Sequence, residues 1–81
     1  MSEERLKFQG RLLEKQNERD RVELRIKGLV KSIRDCLDPF APIEDLQAEM
    51  AAQQSVELAN LRIHWNELSH EIVAIRKALG M

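Results

Sequence analysis

Apolar residues recur at alternating steps of four and three on both sides of a short segment that contains both prolines of the chain. On the N-terminal side they are Val22, Ile26, Leu29, Ile33 and Cys36; on the C-terminal side they are Leu58, Leu61, Trp65, Leu68, Ile72, Ile75 and Leu79. This heptad spacing places the residues along one line of an α-helix, here called a seam. The pattern therefore predicts two long helices, each with one apolar seam.

The segment between the helices contains Pro39 and Pro42. Each proline lacks an N–H group and disfavours the helical conformation in the residue before it, so a continuous helix through both is excluded in practice. We expect an all-α fold, an antiparallel two-helix hairpin with coiled-coil packing, with helix 1 over 3–37, a turn over 38–43 and helix 2 over 43–79. Residues 1–81 form one domain, in which Phe40 and Ile43 are expected to cover the end of the core.

The ends of the predicted helices carry the usual signals. Ser2, followed by two glutamates, is a good N-cap for helix 1, and Gly80 is a good stop for helix 2. Gly10 and Gly28 fall inside helix 1, where each costs about 1 kcal/mol relative to alanine. That cost does not end a helix of this length, so helix 1 is expected to continue through both glycines.

Charge is segregated along the chain although the net charge is only −1. Residues 5–34 contain ten basic and four acidic residues, whereas residues 35–60 contain six acidic residues and no basic one. Folding the chain back at about residue 40 places Arg25 near Glu57, and Lys31 and Arg34 near Asp45 and Glu49. We therefore expect some of the basic residues of helix 1 to pair with acidic residues of helix 2 inside the hairpin.

The same fold places Leu12 near Leu68 and Phe8 near Ile72, and sets the strong half of each seam against the weak half of the other. Trp65 would then face Lys15 and Arg19, and much apolar surface would stay half exposed. We therefore predict a homo-oligomer, a dimer or tetramer that completes a helical bundle, with another helical protein as a possible partner. The predicted interface residues are Val22, Ile26, Leu29, Ile33, Leu58, Leu61, Trp65, Leu68, Ile72 and Ile75.

Catalytic motifs are missing from the sequence: it has no glycine-rich phosphate loop, no nucleophile with a matching base, and no cysteine-based metal spacing. We expect no catalytic residue, no cofactor and no enzymatic activity. Glu67 and His70 match the Glu-x-x-His spacing of di-metal helical bundles, and His64 lies on the same face. Because Trp65 and Leu68 occupy the seam, these polar residues are expected to face solvent and to bind no metal.

A nucleic-acid accessory role is the alternative function, because phosphate groups bind clustered basic side chains. The candidate residues on helix 1 are Arg11, Lys15, Arg19, Arg21 and Arg25. Acidic residues alternate with them and the sequence pI is about 6.1, so a solvated, internally paired face is the stronger interpretation. A gel-shift assay across salt concentrations separates the two functions.

Cellular location is indicated only by general features. No apolar run reaches the roughly 20 residues that a membrane span needs. The acidic start, Ser2 to Glu4, is unlike a signal peptide, and a lone cysteine fits a reducing compartment. We expect a cytoplasmic protein without membrane association, in which Cys36 acts as a small buried apolar residue.

The stretch from Leu24 to Leu46, and above all its turn Leu-Asp-Pro-Phe-Ala-Pro-Ile-Glu-Asp-Leu, resembles small helical proteins of Mu-like phages and prophages. The resemblance covers about a third of the chain. It implies a bacterial host and a non-enzymatic helical accessory protein of coiled-coil hairpin type. It transfers no functional residue, because none is established for that family.

Overall fold

The computed structural model describes residues 2–81, which form an antiparallel helical hairpin measuring 64 × 16 × 14 Å. Helix α1 spans Glu3–Cys36, a single 3₁₀ turn spans Ile43–Asp45, and helix α2 spans Ala48–Ala78. The two helices pack against each other along their length, and the described residues include no strand. The predicted all-α hairpin is confirmed.

The helix ends form as their sequences predict. The Arg5 backbone N–H donates to Ser2 Oγ at 3.3 Å, so Ser2 is the N-cap of α1. At the other end of the chain Gly80 has a φ of +75°. The N–H groups of Gly80 and Met81 donate to the carbonyls of Lys77 and Arg76, which is the Schellman arrangement that ends helices at glycine.

The connection between the helices is longer than predicted, because α2 begins at Ala48 rather than at residue 43. Pro42 starts only the short 3₁₀ turn, and Leu46 then adopts an extended conformation that interrupts helix formation. Asp38 organises the first half, since its side chain accepts from the Phe40 N–H at 2.9 Å. The Gln47 N–H donates to the Cys36 carbonyl at 3.2 Å and closes the connection on α1.

The longer connection moves the helix register by about one helical turn. Its middle is residue 42 rather than residue 40, so Leu12 packs with Ile72 instead of Leu68. Phe8 packs against the same cluster, which also contains Ile75 and Leu79. The predicted proximity of Arg25 and Glu57 holds, at 2.8 Å, but Lys31 and Arg34 make no ion pair with another residue of 2–81.

The core is a single line of side chains between two helices. Its buried members are all apolar: Leu12, Val22, Leu29, Cys36, Ala51, Leu68, Ile72, Ile75 and Leu79. Gln54 interrupts this line on α2, and its Oε1 atom is buried without a hydrogen-bond partner among residues 2–81. A buried polar atom without a partner costs about 1–3 kcal/mol.

Replacing Gln54 with leucine should therefore stabilise the hairpin, because the substitution removes the unpaired oxygen and continues the seam from Ala51 to Leu58. We expect the free energy of unfolding to rise by about 1 kcal/mol, measured by urea denaturation followed by circular dichroism. Gln53→Leu is the matched control, since Gln53 is exposed and its replacement should change stability by less than about 0.5 kcal/mol. Equal effects of both variants would contradict this account of Gln54.

Candidate interaction surfaces

The predicted interface residues lie mostly between the two helices of one chain. Leu68 and Ile72 are 1% and 0% exposed, and Val22, Leu29 and Ile75 are also buried. The remaining five are partly buried: Ile26, Ile33, Leu58, Leu61 and Trp65. The expectation that a lone hairpin leaves this seam half exposed is wrong for Leu68 and Ile72, which are enclosed between the two helices, with Leu12 packed against Ile72. The buried residues are not accessible to a second subunit while the hairpin is intact, and the interface stays a prediction for the five partly buried ones.

Arg19 shows how the hairpin accommodates a cation in its apolar seam. The guanidinium carbon lies 5.7 Å from the centre of the Trp65 ring, in a cation–π contact. The same group donates through Nη1 to Ser69 Oγ at 3.2 Å. The aliphatic part of the Arg19 side chain covers part of Trp65, and its guanidinium group contacts the face of the ring and the Ser69 hydroxyl. Trp65 thus has a partner within its own chain.

Two further cations of α1 pair with carboxylates of α2. Lys15 Nζ lies 3.0 Å from Glu71 Oε2, and this hydrogen bond and opposite charge raise the pKa of Lys15. Arg25 reaches Glu57 Oε1 through both Nε and Nη2, at 3.0 and 2.8 Å. These partly exposed pairs contribute little stability, but each fits only one register.

The five candidate nucleic-acid residues do not form a continuous basic face, because most of their charged groups already contact other side chains of the hairpin. Arg19 faces Trp65, Lys15 and Arg25 are paired with carboxylates, and Arg11 lies 5.9 Å from the centre of the Phe8 ring. Only Arg21 of the five is exposed without a contact of this kind. Nucleic-acid binding stays a prediction, and the five candidate residues do not form a cluster of unpaired cations.

The histidine-containing face is organised by one contact across the helices. His64 Nε2 lies 2.9 Å from Glu18 Oε1, and His64 Nδ1 lies 3.8 Å from Glu67 Oε2. His70 is exposed. Within residues 2–81 no three or more metal-ligating side chains come together as a metal site.

Cys36 is buried, as predicted, with its Sγ 3.8 Å from Gln47 Oε1.

The turn end of the hairpin exposes two large apolar side chains, which we call the tip. Phe40 is 93% exposed and Ile43 is 84% exposed. The expectation that they cover the end of the core is wrong, because the extended segment at Leu46 and the hydrogen bond from Gln47 to Cys36 close that end instead. Both side chains are held on hydrogen-bonded backbone, and the charged residues of the turn itself are all acidic.

A second heptad row runs along the side of α2 that faces away from α1. It consists of exposed residues at alternating steps of four and three: Ala52, Val56, Ala59, Ile63, Asn66, His70 and Val73. We call this row the outer seam. From the sequence, Val56, Ala59 and Ile63 are recognised only as an apolar flank. The signal that was missed is the continuation of the same spacing through two polar residues to Val73.

Neither α1 nor α2 has a stretch apolar and long enough to cross a bilayer, within the described part of the chain. The tip lies in the turn and the outer seam lies on α2, and polar residues flank the exposed apolar side chains of both. Exposed apolar side chains grouped in this way are typical of interaction sites.

Truncating Trp65 to alanine should lower the thermal stability of the hairpin, since it removes the packing of the ring and its contact with Arg19. We expect a loss of about 2 kcal/mol, below the range for fully buried tryptophans because Trp65 is only partly buried. Leu24→Ala is the control, because Leu24 is 70% exposed on α1 and should contribute little. An unchanged melting temperature in Trp65→Ala would contradict this role.

The tip should contribute almost nothing to folding. Replacing Phe40 and Ile43 together with serine should leave the free energy of unfolding within about 0.5 kcal/mol of the wild-type value, since neither side chain is packed. Chemical denaturation of the double variant tests this. A large loss of stability would mean that these side chains do cover the core.

The turn sequence suggests kinship with Mu-like phage proteins, and the whole chain can be compared with known proteins. No protein-family model, no curated protein and no solved structure matches it. Membership of the phage-encoded group therefore stays a prediction, which rests on the residues of the turn alone.

Proposed function

We propose that this chain is a non-catalytic helical interaction module that works by self-association through side chains outside its core. The observation that carries the proposal is the exposure of large apolar residues on ordered backbone. Phe40 and Ile43 extend from the hydrogen-bonded turn, and Val56 and Ile63 extend from the middle of α2, at 64% and 57% exposure. Apolar groups that line up on a rigid element are typical of protein contact sites.

The thinness of the hairpin supports the same proposal. A structure 16 × 14 Å across holds one line of core residues, so each helix keeps most of its circumference in water. Small domains bury a low fraction of their surface and often gain stability by associating with further helices. A second hairpin laid against the first would convert one core line into the layered core of a bundle.

An origin in a phage or prophage and a cytoplasmic location belong to this proposal. The resemblance of the turn to Mu-like phage proteins supports the first. The lone, buried Cys36 supports the second, since a free thiol persists in a reducing compartment. In this interpretation the protein is an accessory component that joins helical surfaces and performs no chemistry of its own.

Sedimentation equilibrium of the wild-type chain tests the proposed function. We expect a dimer or a larger species at tens of micromolar, dissociating on dilution, with the helical circular-dichroism signal retained. The double variant Phe40→Ser/Ile43→Ser shows whether the tip takes part in this association. A single monomeric species that remains fully helical at that concentration would contradict self-association.

A further inference from the structure

The outer seam has the composition and spacing of one half of a coiled coil. Steps of four and three assign its residues to the two core positions of a heptad, and none of the residues from Ala52 to Val73 on this row is charged. Val56 and Ile63 occupy the a position, where β-branched residues favour two-stranded pairing. Ala52 and Ala59 occupy the d position, where a small side chain allows close approach of a second helix.

Charge at the edges of the outer seam indicates the orientation of that second helix. Between Gln53 and Ala74 the flanking e and g positions are neutral, apart from Arg62 at g and Glu67 at e. Arg62 and Glu67 are five residues apart, which is the separation at which a g residue meets an e residue of a parallel partner. Arg62 makes no ion pair with another residue of 2–81, and the Glu67 side chain is 65% exposed.

We propose that the outer seam binds the outer seam of a second copy of this chain, with the two α2 helices parallel. This inference rests on the proposed self-association and assigns its surface. Arg62 of each copy pairs with Glu67 of the other, so two symmetric ion pairs flank the layers of Ile63 and Asn66. An antiparallel arrangement brings g beside g and e beside e, and leaves both charges without partners.

The hairpin allows this arrangement without rearrangement. The outer seam lies on the opposite side of α2 from Leu68 and Ile72, so α1 does not obstruct it. Asn66 and His70 place two polar layers in the C-terminal half, which reduces affinity and restricts the register, as polar core residues do in coiled coils. The apolar layers from Ala52 to Ile63 carry the contact, and the dimer dissociates at micromolar concentrations.

The other exposed apolar groups fit a second copy less well. Leu6, Leu13 and Leu24 lie on one heptad row on the outer side of α1, but a glycine, an asparagine and the charged Asp20 occupy the positions between them on that row. The tip presents only two apolar side chains, and the charged residues of its own turn are all acidic, so two tips offer each other no complementary charge. Neither surface combines apolar spacing with paired charges as the outer seam does.

Ile63→Glu tests the surface, because it places a charge at the centre of the outer seam without touching the hairpin core. We expect the dissociation constant from sedimentation equilibrium to rise by about tenfold or more. Leu24→Glu is the control, because Leu24 is an exposed apolar residue on α1, at 70% against 57% for Ile63, and it should leave the dissociation constant unchanged. If both variants dimerise like the wild type, this inference is wrong while the proposed self-association stands. A monomeric wild type contradicts both.

Charge exchange tests the ion pairs. Arg62→Glu and Glu67→Arg should each weaken the dimer, since each sets like charges against each other twice. The double variant Arg62→Glu/Glu67→Arg should recover the wild-type dissociation constant, because the pairs are restored with reversed sign. A double variant no tighter than the single variants would overturn the assignment of Arg62 and Glu67.

Disulfide trapping tests the orientation. In a Cys36→Ala background, Ala52→Cys at a d position and His70→Cys at an a position place one thiol near either end of the outer seam, where the two would face each other only in an antiparallel pair. In a parallel pair each variant meets its own equivalent position, within the Cα separation of about 4.4–6.8 Å that a disulfide requires, and forms a covalent dimer alone. If covalent dimers form only when the two variants are mixed, the helices are antiparallel and the inference is overturned.

Discussion

The hydrogen bond from the Gln47 N–H to the Cys36 carbonyl joins the last turn of α1 to the residue before α2. Every contact between the helices depends on where this connection ends, because a shift of one helical turn changes the partner of each core residue. With this closure Leu12 meets Ile72, Arg25 meets Glu57, and Arg19 meets Trp65 and Ser69. The backbone of Leu37–Gln47 thus sets the register, and the ion pairs reinforce it.

Local signals predict the parts of this fold that depend on local interactions. The heptad spacing predicts both helices, and Ser2 and Gly80 mark the two termini because a cap needs only its own neighbouring residues. The predicted register differs from the observed one by about one helical turn, because two backbone conformations compete where α2 could begin. Pro42 could begin a helix, but the chain makes one 3₁₀ turn and an extended residue at Leu46 first. Sequence patterns do not weigh such alternatives.

The same shift explains why the seam looked incomplete from the sequence. Lys15 and Arg19 stand at core positions of α1, where a charge should leave apolar groups exposed. In the structure Lys15 pairs with Glu71 and the Arg19 guanidinium lies over the Trp65 ring. The aliphatic parts of both side chains cover the seam, and their charged groups contact residues of α2. Gln54 differs from both, because its amide oxygen is buried without a hydrogen-bond partner among residues 2–81. Only the contacts between the helices show that Lys15 and Arg19 have partners whereas the Gln54 amide oxygen has none.

The two helices differ in what they offer to the outside. α1 alternates acids and bases on its outer side, with isolated leucines, whereas α2 carries a second uncharged row directly behind its first. A helix with heptad rows on opposite sides is suited to the interior of a bundle, since it can pack on both. If two α2 helices meet along the outer seam, each remains covered by its own α1 on the other side. The hairpin is then half of a four-helix assembly in which α2 is central and α1 peripheral, and the charged surface of α1 keeps that assembly in solution.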